Sequence, residues 1–116
     1  GFAETDAAEI VHEVAELYEP IVEDEGGTLT LNVDATIPVK ADRQLLAQAL
    51  SNLLDNALKY GGKEEGEATT VTVTARAVDG KAVITVRGVR FATRAILVVE
   101  VSRGTQPSQL LVGEVI

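Results

Sequence analysis

Three side chains in the middle of this 116-residue chain share one face of a helix and have complementary chemistry: Asn52, Asn56 and Lys59. At 100° per residue they fall within about 60° of one another. A carboxamide oxygen is a hard, neutral ligand suited to Mg²⁺. A lysine one turn further on can meet the phosphates that Mg²⁺ bridges. Tyr60, next in sequence, offers a ring edge to a base or ribose. Asn and Lys are also common on solvated helix faces, so spacing alone leaves a binding face and a plain polar face both open.

The helix that must carry them starts at Asp42. Leu46, Leu50, Leu53, Leu54 and Ala57 form its apolar stripe, roughly opposite the Asn/Lys face. It should run to about Tyr60 and stop at Gly61-Gly62. An earlier helix is capped by Asp6, with Glu9 three residues on as the reciprocal capping-box partner. Ile10, Val14, Leu17 and Ile21 follow helical spacing along it, with Val11, Tyr18 and Val22 beside them. Pro20 should bend that helix or remove one hydrogen bond, and Gly26-Gly27 should end it.

Between the helices, Leu29, Leu31 and Val33 alternate with Thr28, Thr30 and Asn32, which predicts a half-buried strand. Ile37-Pro38-Val39-Lys40 reads as a short extended link. After the second helix and a charged loop at 63–67, Val71, Val73, Ala75 and Ala77 alternate with polar residues. Asp79-Gly80 follows, then Ala82, Ile84 and Val86 alternate in turn. Asp-Gly between two such runs is a strong hairpin signal. Ala95 to Val101 and Leu110 to Ile116 read as two further strands. The order predicts an α+β fold, with helices on one face of a mixed or antiparallel sheet.

Composition narrows the function. The chain is one domain by length, and 46% of it is apolar. It has no cysteine and one histidine, so a disulfide scaffold is excluded and a zinc site poorly supported. The net charge of −8 argues against nucleic acid or an anionic membrane as a surface-wide partner. No apolar run approaches the length of a membrane span. Glu64-Glu65-Gly66-Glu67 lacks calcium-loop spacing and reads as a solvated turn. Ser51, Ser102 and Ser108 lie in no nucleophile-elbow pattern.

The whole string Leu46-Ala47-Gln48-Ala49-Leu50-Ser51-Asn52-Leu53-Leu54-Asp55-Asn56-Ala57-Leu58-Lys59-Tyr60 resembles the N-box of sensor histidine kinases. These belong to the ATPase superfamily shared with gyrase, the Hsp90 chaperone and MutL. The preceding Val39 to Leu45 resembles the family's lead-in to that helix, and Leu17-Tyr18-Glu19-Pro20 its first helix. The resemblance covers about residues 6–86. It implies a two-layer α/β sandwich that binds Mg-ATP between helices and lid. By resemblance, Asn56 would hold Mg²⁺ and Asn52 would lie on the same side. Lys59 would contact phosphate, and Tyr60 would border adenine or ribose. The parent reaction would be phosphoryl transfer from Mg-ATP to a histidine on a separate dimerisation domain, in a two-component phosphorelay. A response regulator would be a further partner, and the location cytoplasmic. His12 lacks the Thr-Pro of the phosphoacceptor motif and reads as a surface histidine.

The resemblance stops near residue 87. The family's second hairpin strand runs into Asp-x-Gly-x-Gly, whose aspartate accepts a hydrogen bond from adenine. Here Arg87-Gly88-Val89-Arg90 follows, so the aspartate position is not filled. Its loss alone would cost about ten- to a hundredfold in affinity. The sequence leaves the lid and third helix missing. Residues 1–86 carry 16 acids and 6 bases, whereas residues 87–116 carry two acids and four bases, all arginine. A changed reading frame, an internal deletion and a divergent module each account for that shift. The sequence therefore divides at 86/87 into a family-like part and an atypical tail within one structural domain. Two functions follow from it: a nucleotide-binding kinase fragment of weak or lost activity, or a non-catalytic module that self-associates, as a strand-exchanged homodimer, through its tail.

Overall fold

The structure, a computed structural model, describes residues 3–59, 70–78, 81–88, 94–100 and 110–115. Strand β1, Ala3–Asp6, leads directly into helix α1, Ala7–Asp24. Strands β2, Thr28–Val33, and β3, Pro38–Ala41, separate α1 from helix α2, Arg43–Lys59. The hairpin strands are β4, Thr70–Val78, and β5, Lys81–Gly88. Strands β6, Arg94–Glu100, and β7, Leu110–Val115, complete the described fold. Tyr60, Gly61-Gly62, the 63–67 loop and the Asp79-Gly80 turn lie outside the described residues.

The main sheet has the order β2-β4-β5-β6-β7. Strands β2 and β4 are parallel, and every later pair is antiparallel. Both helices cover one face of it: α1 lies against β2 and β4, and α2 against β5 and β6. The sheet is mixed and the fold two-layered, as the pattern predicts. Val71, Val73, Ala75, Ala82, Ile84 and Val86 are all buried beneath the helices. Thr72, Thr74, Val83 and Thr85 face the other way and are half-buried. Val78 pairs with Lys81, so the hairpin has a two-residue connection. Ala77 is exposed rather than inward, as are Arg76 and Val78 beside it at the end of β4. Five residues, 89–93, separate β5 from β6; β6 pairs with β5 and β7 with β6, all within one chain.

Asp6 ties the N-terminal elements together. Its Oδ1 accepts from the Ala8 backbone N–H at 3.0 Å, capping α1, and from the Ile37 N–H at 2.8 Å. Ala7 N–H donates to the Ile37 carbonyl at 2.9 Å. Ile37-Pro38-Val39-Lys40 is more than a link, because Pro38–Ala41 forms an antiparallel pair with β1. That strand at Ala3–Asp6 is too short to show periodicity, and only its partner reveals it.

Two further expectations need correction in α1. Glu9 does not close a capping box; its carboxylate accepts from Arg43 at 3.0 Å, 34 residues away. The buried row is Ala7, Ile10, Val11, Val14, Ala15, Tyr18 and Val22, while Leu17 is 71% and Ile21 47% exposed. Two apolar ladders offset by one residue run along α1; both are buried at its start, and only Tyr18 and Val22 stay buried further on. The helix continues through Pro20, which lacks only its own N–H. It ends in a Schellman motif: Gly26 N–H donates to the Glu23 carbonyl and Gly27 N–H to the Val22 carbonyl. Gly26 has φ of 77°, a conformation glycine adopts without steric cost.

These burial differences set up a direct comparison. Leu50→Ala, at a fully buried position, should lower unfolding free energy by about 2–5 kcal/mol. Leu17→Ala should change it by about 0.5 kcal/mol or less. Urea unfolding of both variants beside the parent measures the contrast.

Candidate functional site

Helix α2 is bound to the core by Leu46, Leu50, Leu53 and Leu54, each nearly fully buried. Asp42 caps its start: Oδ1 accepts from the Leu45 backbone N–H at 3.0 Å. That bond holds the Asp42 carboxyl below its usual range. With the leucines inward, Asn52 and Asn56 are both exposed on the far side of the helix. Lys59 is the last residue of α2, and Tyr60 falls outside the described residues. Leu45 lies on the same helical face as the two asparagines and is 53% exposed. The structure therefore brings Asn52 and Asn56 onto one open face. Their exposed carboxamides are suited to a Mg²⁺–phosphate group, because each presents an oxygen acceptor in reach of solvent.

The end of β5 approaches this helix. A Cβ built on Gly88 would lie 3.9 Å from the Ala57 carbonyl oxygen, one residue beyond Asn56. Arg87, beside it, is exposed. The end of β5, where the sequence lacks an aspartate, thus lies beside the Asn-bearing helix.

Helix α1 holds α2 at two places. Arg43 donates to Glu13 at 2.6 Å, to Glu9 at 3.0 Å, and to Thr5 Oγ1 at 3.3 Å. Hydrogen bonding to Glu13, with its charge and that of Glu9, holds the guanidinium pKa above its usual value. The cluster is solvent-exposed, so water and salt screen most of its attraction. The second tie is partly buried. Tyr18, only 9% exposed, donates from Oη to Asp55 Oδ1 at 2.6 Å, with the Ser51 carbonyl at 3.1 Å from the same hydroxyl. Early α1 thus meets early α2 and late α1 meets late α2, so the helices run in the same direction. Sequence reading places Tyr18 only among the apolar residues. A core tyrosine needs a partner for its hydroxyl, and that is the one signal pointing to Asp55.

His12 is exposed on α1. Among the described residues no three His, Cys, Asp or Glu side chains gather to hold a metal ion. No helix among them is long and apolar enough to cross a membrane.

Comparison with known proteins agrees with this geometry. Residues 41–89, which span α2 and the β4–β5 hairpin, match the family model for Histidine kinase-, DNA gyrase B-, and HSP90-like ATPase. The probable sensor protein PcoS of Escherichia coli is 39% identical over 57 residues, 49% of this chain and 12% of that protein. The catalytic domain of histidine kinase ThkA superposes with a TM-score of 0.66 at 26% identity, covering 76% of this chain and 59% of that one. ThkA is also known in complex with the response regulator protein TrrA. Full-length ShkA, in complex with AMPPNP, gives a TM-score of 0.62 at 32% identity over 74% of this chain and 18% of that one. The chain matches a fragment of a histidine kinase ATPase domain, and it spans only a small part of the sensor kinase it resembles in sequence.

The Tyr18–Asp55 contact has a measurable signature. Burial first, then the hydrogen bond to Asp55 and its charge, push the phenol up from 10.0 to about 12. The folded state therefore keeps a proton that the unfolded state loses. Stability from this group is full below pH 10 and falls as pH rises from about 10 towards 12. Asp55→Ala in a Tyr60→Phe background should move the one remaining tyrosine titration, followed by phenolate absorbance, back towards 10.

Proposed function

We propose that this chain is the nucleotide-binding portion of a two-component sensor histidine kinase, with a site reduced relative to the family. The observation that carries this is the exposed Asn52/Asn56 face of α2, inside the stretch that matches the family model. The side chains of Asn52 and Asn56 would orient the metal–phosphate group, Lys59 would meet phosphate, and Tyr60 would border adenine or ribose. When bound, Mg²⁺ would neutralise phosphate charge. A local cation matters here, because a chain of net charge −8 repels a polyphosphate over most of its surface. The ShkA structure with AMPPNP supports the nucleotide class of ligand.

Residues 1–86 form the family-like part of this reading and residues 87–116 an atypical tail that completes the same sheet. The family match ends at residue 89, in support of that division. Arg87 and Gly88 supply no carboxylate at the end of β5, so nucleotide binding is weak. The parent reaction is phosphoryl transfer to a histidine on a separate dimerisation domain, with a response regulator downstream and a cytoplasmic location. The complex of ThkA with TrrA supports the regulator as partner.

Self-association is the second reading. It is favoured by the position of β7, which ends the sheet with one edge unpaired among the described residues. A strict monomer by light scattering at high concentration would exclude it.

Calorimetric titration with Mg-ADP tests the main reading. Saturable binding in the parent and its loss in Asn56→Ala are expected, and no heat in either protein would overturn it. A second expectation concerns turnover. His12 sits outside a phosphoacceptor motif, so incubation with labelled ATP should leave no acid-labile label on the chain.

A further inference from the structure

The leucine row that holds α2 is a non-directional grip. Apolar burial changes little when a helix rolls slightly about its own axis, because the same side chains stay covered. The position of a side chain on the opposite face changes much more. Side-chain tips lie about 5–6 Å from the helix axis, so a roll of about 20° displaces them by about 2 Å. A ligand site made from exposed carboxamides needs a directional restraint on that roll.

Among the described contacts of α2, the bonds from Tyr18 supply one. Asp55 lies between Asn52 and Asn56 in sequence, about 60° and 100° away from them around the helix. The three side chains therefore move together when α2 rolls. Tyr18 is anchored in the core row of α1, and its hydroxyl reaches Asp55 Oδ1 at 2.6 Å and the Ser51 carbonyl at 3.1 Å. A displacement of about 2 Å would break a bond of that length, since such contacts weaken beyond about 3 Å. The tie from Arg43 cannot substitute. It acts at the first residue of α2 on an exposed, flexible side chain, about 14 Å along the axis from Asn52.

We propose that Tyr18 and Asp55 are positioning residues: their hydrogen bond sets the rotation of α2 that presents Asn52 and Asn56 to nucleotide. This rests on the nucleotide-binding reading above and adds a route by which α1 controls the site. Any partner or ligand that shifts α1 relative to α2 acts on the asparagine face through this bond.

The test compares Tyr18→Phe, Asp55→Ala, Asp55→Asn and the Tyr18→Phe/Asp55→Ala pair with the parent. Three quantities are read: Mg-ADP affinity, the urea midpoint, and the side-chain amide resonances of Asn52 and Asn56 without ligand. Tyr18→Phe and Asp55→Ala should each weaken Mg-ADP by about tenfold or more and move both amide resonances. The double variant should be no weaker than the singles, because one bond is lost in all three. Asp55→Asn, whose carboxamide oxygen still accepts from Tyr18, should restore affinity and resonances. Lower urea midpoints with unchanged affinity and unchanged resonances would show a merely structural bond and overturn the proposal. If the parent binds no Mg-ADP, the nucleotide reading falls, and the resonances alone decide this one. Movement in Tyr18→Phe and Asp55→Ala with recovery in Asp55→Asn supports it, and unmoved resonances overturn it.

Discussion

Four leucines on one side of α2 must leave water, and the rest of the site follows from how they do so. Leu46, Leu50, Leu53 and Leu54 share one buried cluster with Val71 and Val73 of β4 and Ile84 and Val86 of β5. Each such side chain gains about 1.5–3 kcal/mol on burial, far more than any surface contact of the helix contributes. That preference turns the opposite face outward. Asn52 and Asn56 are accessible because they lie about 145° and 105° from the centre of the leucine row, so the core and the candidate site are two sides of one constraint.

Burial alone leaves the helix free to roll and slide, and directional bonds remove that freedom. Asp6 joins the first strand, the start of α1 and Ile37 through one carboxylate oxygen. Asp34 does the same at the end of β2, accepting from the Ala77 N–H while its own N–H donates to the Ala75 carbonyl. Tyr18 joins α1 to α2. Each is a polar side chain at the edge of an apolar layer. The bonds of Asp6 and Tyr18 are partly buried and satisfy groups whose loss of a partner would cost more than an ordinary hydrogen bond gains, whereas that of Asp34 to Ala77 is exposed.

Much of the fold was legible because its signals are local. The Val/Thr alternation of β4 and β5 around Asp79-Gly80 specifies a hairpin within twenty residues, and the register agrees. The leucine row and the asparagine face of α2 appear in one helical projection. The first helix was harder. Its sequence carries Ile10-Val14-Leu17-Ile21 and Val11-Val14-Tyr18-Val22 as neighbouring ladders, and both satisfy helical spacing. Ile10, Val11 and Val14 are all buried, and the ladders part only further on, where Tyr18 and Val22 face inward and Leu17 and Ile21 face solvent. Glu9 likewise had a plausible local partner in the cap and found a distant one in Arg43.

The amino-acid sequence by itself determined the helices, the alternating strands, the polar face of α2 and the resemblance to a histidine kinase ATPase domain. These depend on residues within a few positions of one another, where period and propensity act directly. Tertiary structure decided that Tyr18 and Val22 rather than Leu17 and Ile21 are buried in α1, that Ala3–Asp6 forms a strand against Pro38–Ala41, and that Tyr18 reaches Asp55. Those outcomes join residues 30 to 40 positions apart. No local period encodes such a pairing, and it exists only once the sheet has brought both helices to one face.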